Sequence, residues 1–346
     1  MRARAAIIGA ALAAAFVPVS PAFVERAYSR AFYPAWQSAI TSGSNLTSFA
    51  LLDVVIALVV FAWIWFTWND LAHGRRFWAT MLQVATRTLA WGSAIYLVFL
   101  VSWGLNYRRV RLTDRLDVDT ARVATADVRA LAVRAASQLN ALHAPAHAGE
   151  WTGGSEVDTR LASAFGEAEG DLGVARHAMP ARPKGSWLDL YFRRAVVDGM
   201  TDPIFLETLV VSDLLPFERP FVTAHEWAHL AGFAHEGEAN FVGWLACMRG
   251  DAALQYSGWL FLYNEAASAL PLTERPDLTR QLAPGPLGDL RAMASRVARN
   301  ASPRVSAAGW SVYNQYLKSQ GVESGTASYN EVIRLILGTR FNPIRP

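Results

Sequence analysis

Three long apolar runs occupy the first hundred residues, and beyond them the pattern turns amphipathic. Residues 5–24 follow Arg2 and Arg4 and are interrupted by Pro18 and Pro21. Residues 49–68 hold one acid, Asp53, and end in Trp63, Trp65, Phe66 and Trp68. Residues 89–105 follow Arg75, Arg76 and Arg87 and reach Trp103 near their end. About twenty apolar residues cross the hydrocarbon of a bilayer as a helix, and aromatic ends suit the water interface. The first run also fits a secretory signal, but Val19-Ser20-Pro21-Ala22 is a poor cleavage region, so a retained anchor is expected. Asp53 lies near the start of its run and is expected to stay hydrated at the membrane edge. The pattern therefore predicts a membrane region over residues 1–107 with three transmembrane helices, and a water-exposed domain over residues 108–346.

In that domain Thr125-Ala126-Asp127 can cap a helix to about His143, and the Pro/Ala/Gly/His stretch 144–154 breaks it. His143, His147 and His177 then fall in or near loops and read as ordinary surface residues. A second helix spans about 156–172. Gly199-Met200-Thr201-Asp202-Pro203 reads as a turn, and the alternation over Ile204–Val211 as a strand. That strand either takes an extended peptide by strand addition or is a buried edge strand. Ser212-Asp213 caps the next helix, with Pro216 and Pro220 near its start and Gly232 as its stop. Helices over 236–248 and 251–270 follow. Three more, over 287–300, 306–320 (stopped by Gly321) and 329–337, close the chain.

The helix that stops at Gly232 carries the chemistry. His225-Glu226-Trp227-Ala228-His229 spells H-E-x-x-H. Two histidines four apart lie on one face of a helix, with Glu226 projecting beside them. That arrangement suits a zinc ion on two imidazoles and a carboxylate that takes a proton from activated water. With 7 His and 14 Glu in 346 residues, accidental matches are expected about 0.006 times, so chance does not explain it.

A catalytic zinc usually keeps three protein ligands and one open position. His225 to His235 spells H-E-x-x-H-x-x-G-x-x-H, in which Gly232 turns the chain so that His235 reaches the metal. Glu238 is the alternative and gives a two-histidine, one-glutamate site. Glu236 and Asn240 are expected to support the histidines or to start the next helix. Tyr256 and His235 are the nearest candidates to steady an oxyanion.

Gly232-Phe233 followed by Glu238-Ala239-Asn240-Phe241 resembles the gluzincin type of zinc peptidase. More broadly, the chain resembles a family of bacterial three-span membrane proteins of unassigned function with an H-E-x-x-H domain. That resemblance rests on residues 24–30, Trp103-Gly104-Leu105-Asn106-Tyr107-Arg108, Leu215-Pro216-Phe217, the motif region to Cys247, and Tyr256-Ser257-Gly258-Trp259-Leu260. It implies that a second helix supplies the third ligand, and that the position of His235 is commonly Arg. The ligand set implied is His225, His229 and Glu238, with Glu226 as general base.

Composition narrows the remaining choices. The hydrophobic share of 52% points toward the membrane. The net charge is only +3, and no long basic run with interleaved aromatics occurs, so nucleic acid is not an expected partner. Cys247 stands alone, which excludes an intramolecular disulfide and a cysteine-based zinc cage. Spans with a single acid offer no polar transport pathway. Charge placement decides orientation weakly: Arg2, Arg4, Arg75, Arg76 and Arg87 favour a cytoplasmic N-terminus, against the cluster Arg108, Arg109, Arg111 and Arg115.

The expectation is a mainly α protein: transmembrane helices, then a zincin-like, mostly helical α+β metallopeptidase domain with a small strand region before the active-site helix. Its cofactor is Zn2+ and its partners are the bilayer and a peptide or protein substrate. It sits in a bacterial inner membrane with the catalytic domain on the extracytoplasmic side. The rival expectation is a catalytically silent or self-processing membrane sensor on the same fold.

Overall fold

Helix α1, Arg2–Phe16, is 15 residues long, or about 22 Å at 1.5 Å per residue, which falls short of a bilayer's hydrocarbon thickness. The computed structural model describes residues 2–74, 76–116, 118–119, 123–149, 151, 156–319 and 331–339; Arg75 and the helix stop Gly321 lie outside the described residues. The apolar run 5–24 is not one straight span. After α1 the chain bends by 106° into α2, Pro21–Ser44. Pro18 and Pro21 supply no backbone N–H, and Ser20 before Pro21 takes ψ 128°, so helical bonding cannot continue.

Helices α3, Leu51–His73, and α4, Phe77–Ser102, are each long and apolar enough to cross a membrane. The protein thus carries two membrane-spanning helices, or three if the bent pair counts as one, consistent with an integral membrane protein. Helix α4 starts at Phe77 rather than near residue 89. Arg87 does not end it because its guanidinium pairs with Asp70 of α3 and donates to Thr67 Oγ1 at 3.0 Å. A charge compensated across the helix pair is tolerated where a bare one is costly.

The rest of the chain is mainly helical. Its helices of seven or more residues are α5 (Thr125–His147), α6 (Thr159–Asp171), α7 (Asp189–Ala195), α8 (Arg219–Leu230), α9 (Glu236–Arg249), α10 (Ala252–Ala269), α11 (Pro284–Asn300), α12 (Pro303–Ser319) and α13 (Glu331–Gly338). Helix α5 does not break at 144 but runs through Pro145 to His147. Proline forfeits only one helical bond there, in the final turn. Helix α8 begins at Arg219, because Pro216 precedes it and the Asp213 carboxylate accepts from Asn300 instead of capping.

Strands β1 (Pro183–Lys184), β2 (Gly199–Thr201) and β3 (Thr208–Val210) form one small sheet in the order β1-β3-β2. β1 is parallel and β2 antiparallel to β3. The strand expected over 204–211 is therefore only its second half, and it is central rather than an edge. The Asp202 carboxylate accepts the N–H groups of Ile204 and Phe205, both at 2.9 Å, which curls the first half into a turn. β2, where a turn was expected, is one of the two edge strands.

Membrane helices and domain share one core. Val24, Tyr28 and Tyr33 of α2 and Trp103 after α4 pack with Trp227, Phe233, Phe241 and Trp244. The Glu207 carboxylate accepts from the N–H groups of Leu51 and Leu52, capping α3, and pairs with the buried Lys184 at 2.6 Å. Asp53 is buried, not hydrated at a membrane edge: it accepts from Ser186 Oγ at 2.6 Å and the Trp187 N–H at 2.8 Å. It belongs to the joint between span and domain.

Candidate metal centre

The end of α8 is held from behind by the membrane region and the segment that directly follows it. Tyr33 Oη donates to the Leu230 carbonyl and Trp103 Nε1 to the His229 carbonyl, each at 2.8 Å, and Arg109 Nη1 to the Gly232 carbonyl at 3.0 Å. These donors satisfy carbonyls that a helix end leaves without partners. Gly232 takes φ 84°; its N–H bonds the His229 carbonyl and the Phe233 N–H bonds that of Ala228. This is the left-handed stop that glycine favours. It reverses the chain so that α9 starts back beside α8.

Three donor atoms meet there. His225 Nε2 and His229 Nε2 are 3.1 Å apart, and Glu236 Oε2, on the first residue of α9, lies 3.4 and 3.6 Å from them. Tetrahedral zinc ligands at 2.0–2.2 Å stand about 3.4 Å from one another, so the group has the dimensions of a metal cradle. His229 Nδ1 donates to the Phe233 carbonyl at 2.9 Å, so in the neutral imidazole the lone pair sits on Nε2, facing the group. Two imidazole nitrogens this close need a proton or a cation between them. Burial works against charge on His229, but the Glu236 and Glu226 carboxylates and the Phe233 carbonyl together outweigh it and lift the imidazole to about 9. Burial likewise opposes the Glu236 charge, yet His229 and His225 hold that carboxyl well below its usual range. The group is thus electrostatically prepared for a positive centre.

Helices α8 and α9 cross closely to make this possible. A Cβ on Gly243 would lie 2.9 Å from the His225 backbone nitrogen. Gly243→Ala is expected to cost about 1–3 kcal/mol by overpacking, read as a lowered thermal midpoint in detergent.

Glu238, expected as third ligand, faces elsewhere. Residues two apart on a helix point to different sides, and with α9 starting at Glu236 it is that residue which meets the imidazoles. Glu238 Oε1 accepts from Arg111 Nε at 2.8 Å and from the Leu112 N–H at 2.9 Å, while Arg111 also pairs with Glu331. The sequence offers Glu236 as a support for the histidines or as the start of the next helix; the signal for a ligand is its position, the first residue after the turn. His235 is buried against the Tyr107 ring, centroids 5.9 Å apart, outside the donor group, and burial lowers it to about 4. Tyr256 Oη donates to Asp289, so it serves a different cluster.

Glu226 is buried, and burial raises its pKa despite the nearby histidines. Its Oε2 accepts from Thr201 Oγ1 of edge strand β2 at 2.8 Å. A Cβ on Gly199 would come within 2.8 Å of Glu226 Oε1, so this strand passes directly over the carboxylate. A small solvent-open pocket, lined in part by Arg30, Arg109 and Arg115, lies beside the end of α8, but none of the donor residues lines it.

Fold and site define an integral-membrane helical protein whose largest core holds a His/His/Glu group able to take a metal ion. The chain belongs to the family described as Protein of unknown function (DUF3810), whose model matches residues 28–337. That span runs from α2 into α13 and so includes membrane helices and domain together. No curated protein and no solved structure matches the chain.

Proposed function

We propose that the protein is a membrane-anchored, zinc-dependent metallopeptidase of zincin type, with His225, His229 and Glu236 as zinc ligands and Glu226 as general base. The observation that carries this reading is the convergence of two Nε2 atoms and a carboxylate oxygen within 3.1–3.6 Å beside a buried glutamate. When bound, zinc supplies Lewis acidity for the attack of water on a peptide carbonyl. Glu226 holds the proton taken from that water and returns it to the leaving amine. Thr201 fixes one carboxylate oxygen and so orients the other. Among the described residues β2 has a single strand neighbour, β3, and an extended peptide alongside β2 would lie next to Glu226.

Purified full-length protein in detergent is expected to cleave casein or a peptide library, and His225→Ala to lose both cleavage and one equivalent of zinc. Zinc bound by the wild type without any cleavage would turn the reading toward a sensor module on the same site.

The domain is proposed to face the extracytoplasmic side of a bacterial inner membrane. Arg4 Nη1 lies 3.4 Å from the Gln83 carbonyl, so the start of α1 lies beside the first turns of α4, toward the end of the spans remote from the domain. Of the opposing charges, Arg109 and Arg111 are folded into ion pairs with Glu25 and Glu238. A cysteine at exposed Ser268 should react with a membrane-impermeant maleimide added outside spheroplasts. Cys247 is fully buried and need not be removed. Labelling only after lysis would reverse the orientation.

A further inference from the structure

Because α5 continues through Pro145, His143 and His147 are four apart on one helix, with ring centroids 4.4 Å apart. Helix α11 lays Asp289 against them: Oδ2 is 2.9 Å from His147 Nε2 and 3.5 Å from His143 Nε2. Each residue offers one ligand atom, and the three atoms lie within 4.8 Å of one another. Tyr256 of α10 donates its hydroxyl to the same Asp289 oxygen at 2.5 Å. The His147 ring stands edge-on to Trp151, centroids 5.3 Å apart. A Cβ on Gly285 would fall 2.5 Å from the His143 ring, so the α11 backbone closes on that imidazole. The donors are therefore held by packing. They are not sealed off, since the His143 and His147 side chains stay 29% and 30% exposed.

The geometry points to a second divalent-metal site, formed by His143, His147 and Asp289 and separate from the group on α8 and α9. Two imidazoles and a carboxylate suit borderline transition cations, zinc foremost, rather than calcium or magnesium, which take oxygen ligands. The hydroxyl of Tyr256 orients the aspartate as hydrogen-bonded partners of metal ligands do, and the partial exposure leaves room for water in the coordination sphere. An ion here ties the end of α5 to α11. The site's chemistry does not depend on the peptidase reading, because it shares no residue with that group.

The test uses full-length protein in detergent, stripped with chelator and titrated with zinc chloride by calorimetry. Wild type is expected to bind two zinc ions per chain. His225→Ala with His229→Ala should bind one, and adding His147→Gln or Asp289→Asn should abolish it. In the same double-alanine background His147→Cys, unlike His147→Gln, should retain the one zinc, because a thiolate is a zinc ligand, which separates ligand loss from misfolding. Cobalt substitution of the background variant should give visible absorption that His147→Gln removes. The proposal is overturned if the double-alanine variant binds no zinc at micromolar concentration, or binds one that survives His147→Gln. Failure of the peptidase reading looks different: wild type would bind one ion, insensitive to His225→Ala and lost with His147→Gln.

Discussion

Replacing Glu226 with glutamine is expected to slow cleavage of a peptide substrate by about 10²–10⁴-fold, the usual contribution of a positioned acid or base. Zinc content should be unchanged. Glutamine keeps the shape and can still accept the Thr201 hydroxyl bond through its carbonyl oxygen, but it cannot take a proton. The buried carboxylate is costly to keep ionised, as its raised pKa shows, so the neutral amide should not lower the melting temperature. Activity and metal are read together, by single-turnover cleavage and elemental analysis. Undiminished cleavage by Glu226→Gln would sink the assignment of the base. Parallel loss of metal would mean that Glu226 serves the cradle itself.

The second large effect separates two glutamates on one helix. Glu236→Ala should weaken zinc binding at the α8–α9 site by more than about 100-fold, since losing a ligand exceeds the 10–100-fold typical of losing a ligand's hydrogen-bond partner. Glu238→Ala should keep zinc and lose stability by about 1–3 kcal/mol, the cost of leaving a buried N–H and part of a guanidinium without their acceptor. Arg111 is 31% exposed and retains Glu331, which keeps that cost at the lower end of what broken buried pairs show. Both variants are measured in the His147→Gln background, so that only one site reports. Metal retained in Glu236→Ala but lost in Glu238→Ala would exchange the roles proposed for them.

The reversal between these glutamates shows where local pattern stops being informative. H-E-x-x-H and the glycine stop depend on 3.6-residue periodicity and on the left-handed conformation glycine tolerates, and both are properties of a short stretch. The third donor depends on which face of α9 meets α8. The start of α9 at Glu236 is legible in the sequence, but the packing of the two helices past Gly243, which turns Glu236 and not Glu238 toward the imidazoles, is not. The strand region shows the same limit: alternation over 204–211 was visible, yet Asp202 bonding to two backbone N–H groups ended the strand early.

From its sequence alone this chain declares its membrane helices, its mainly helical character and the paired histidines of α8, because burial in lipid and helical periodicity are written in consecutive residues. Tertiary structure alone decides which carboxylate joins those histidines, that Asp53 joins span to domain, and that His143 and His147 meet Asp289, more than 140 positions away. Such meetings are set by how helices cross at points like Gly243, and packing across that distance leaves no local signature.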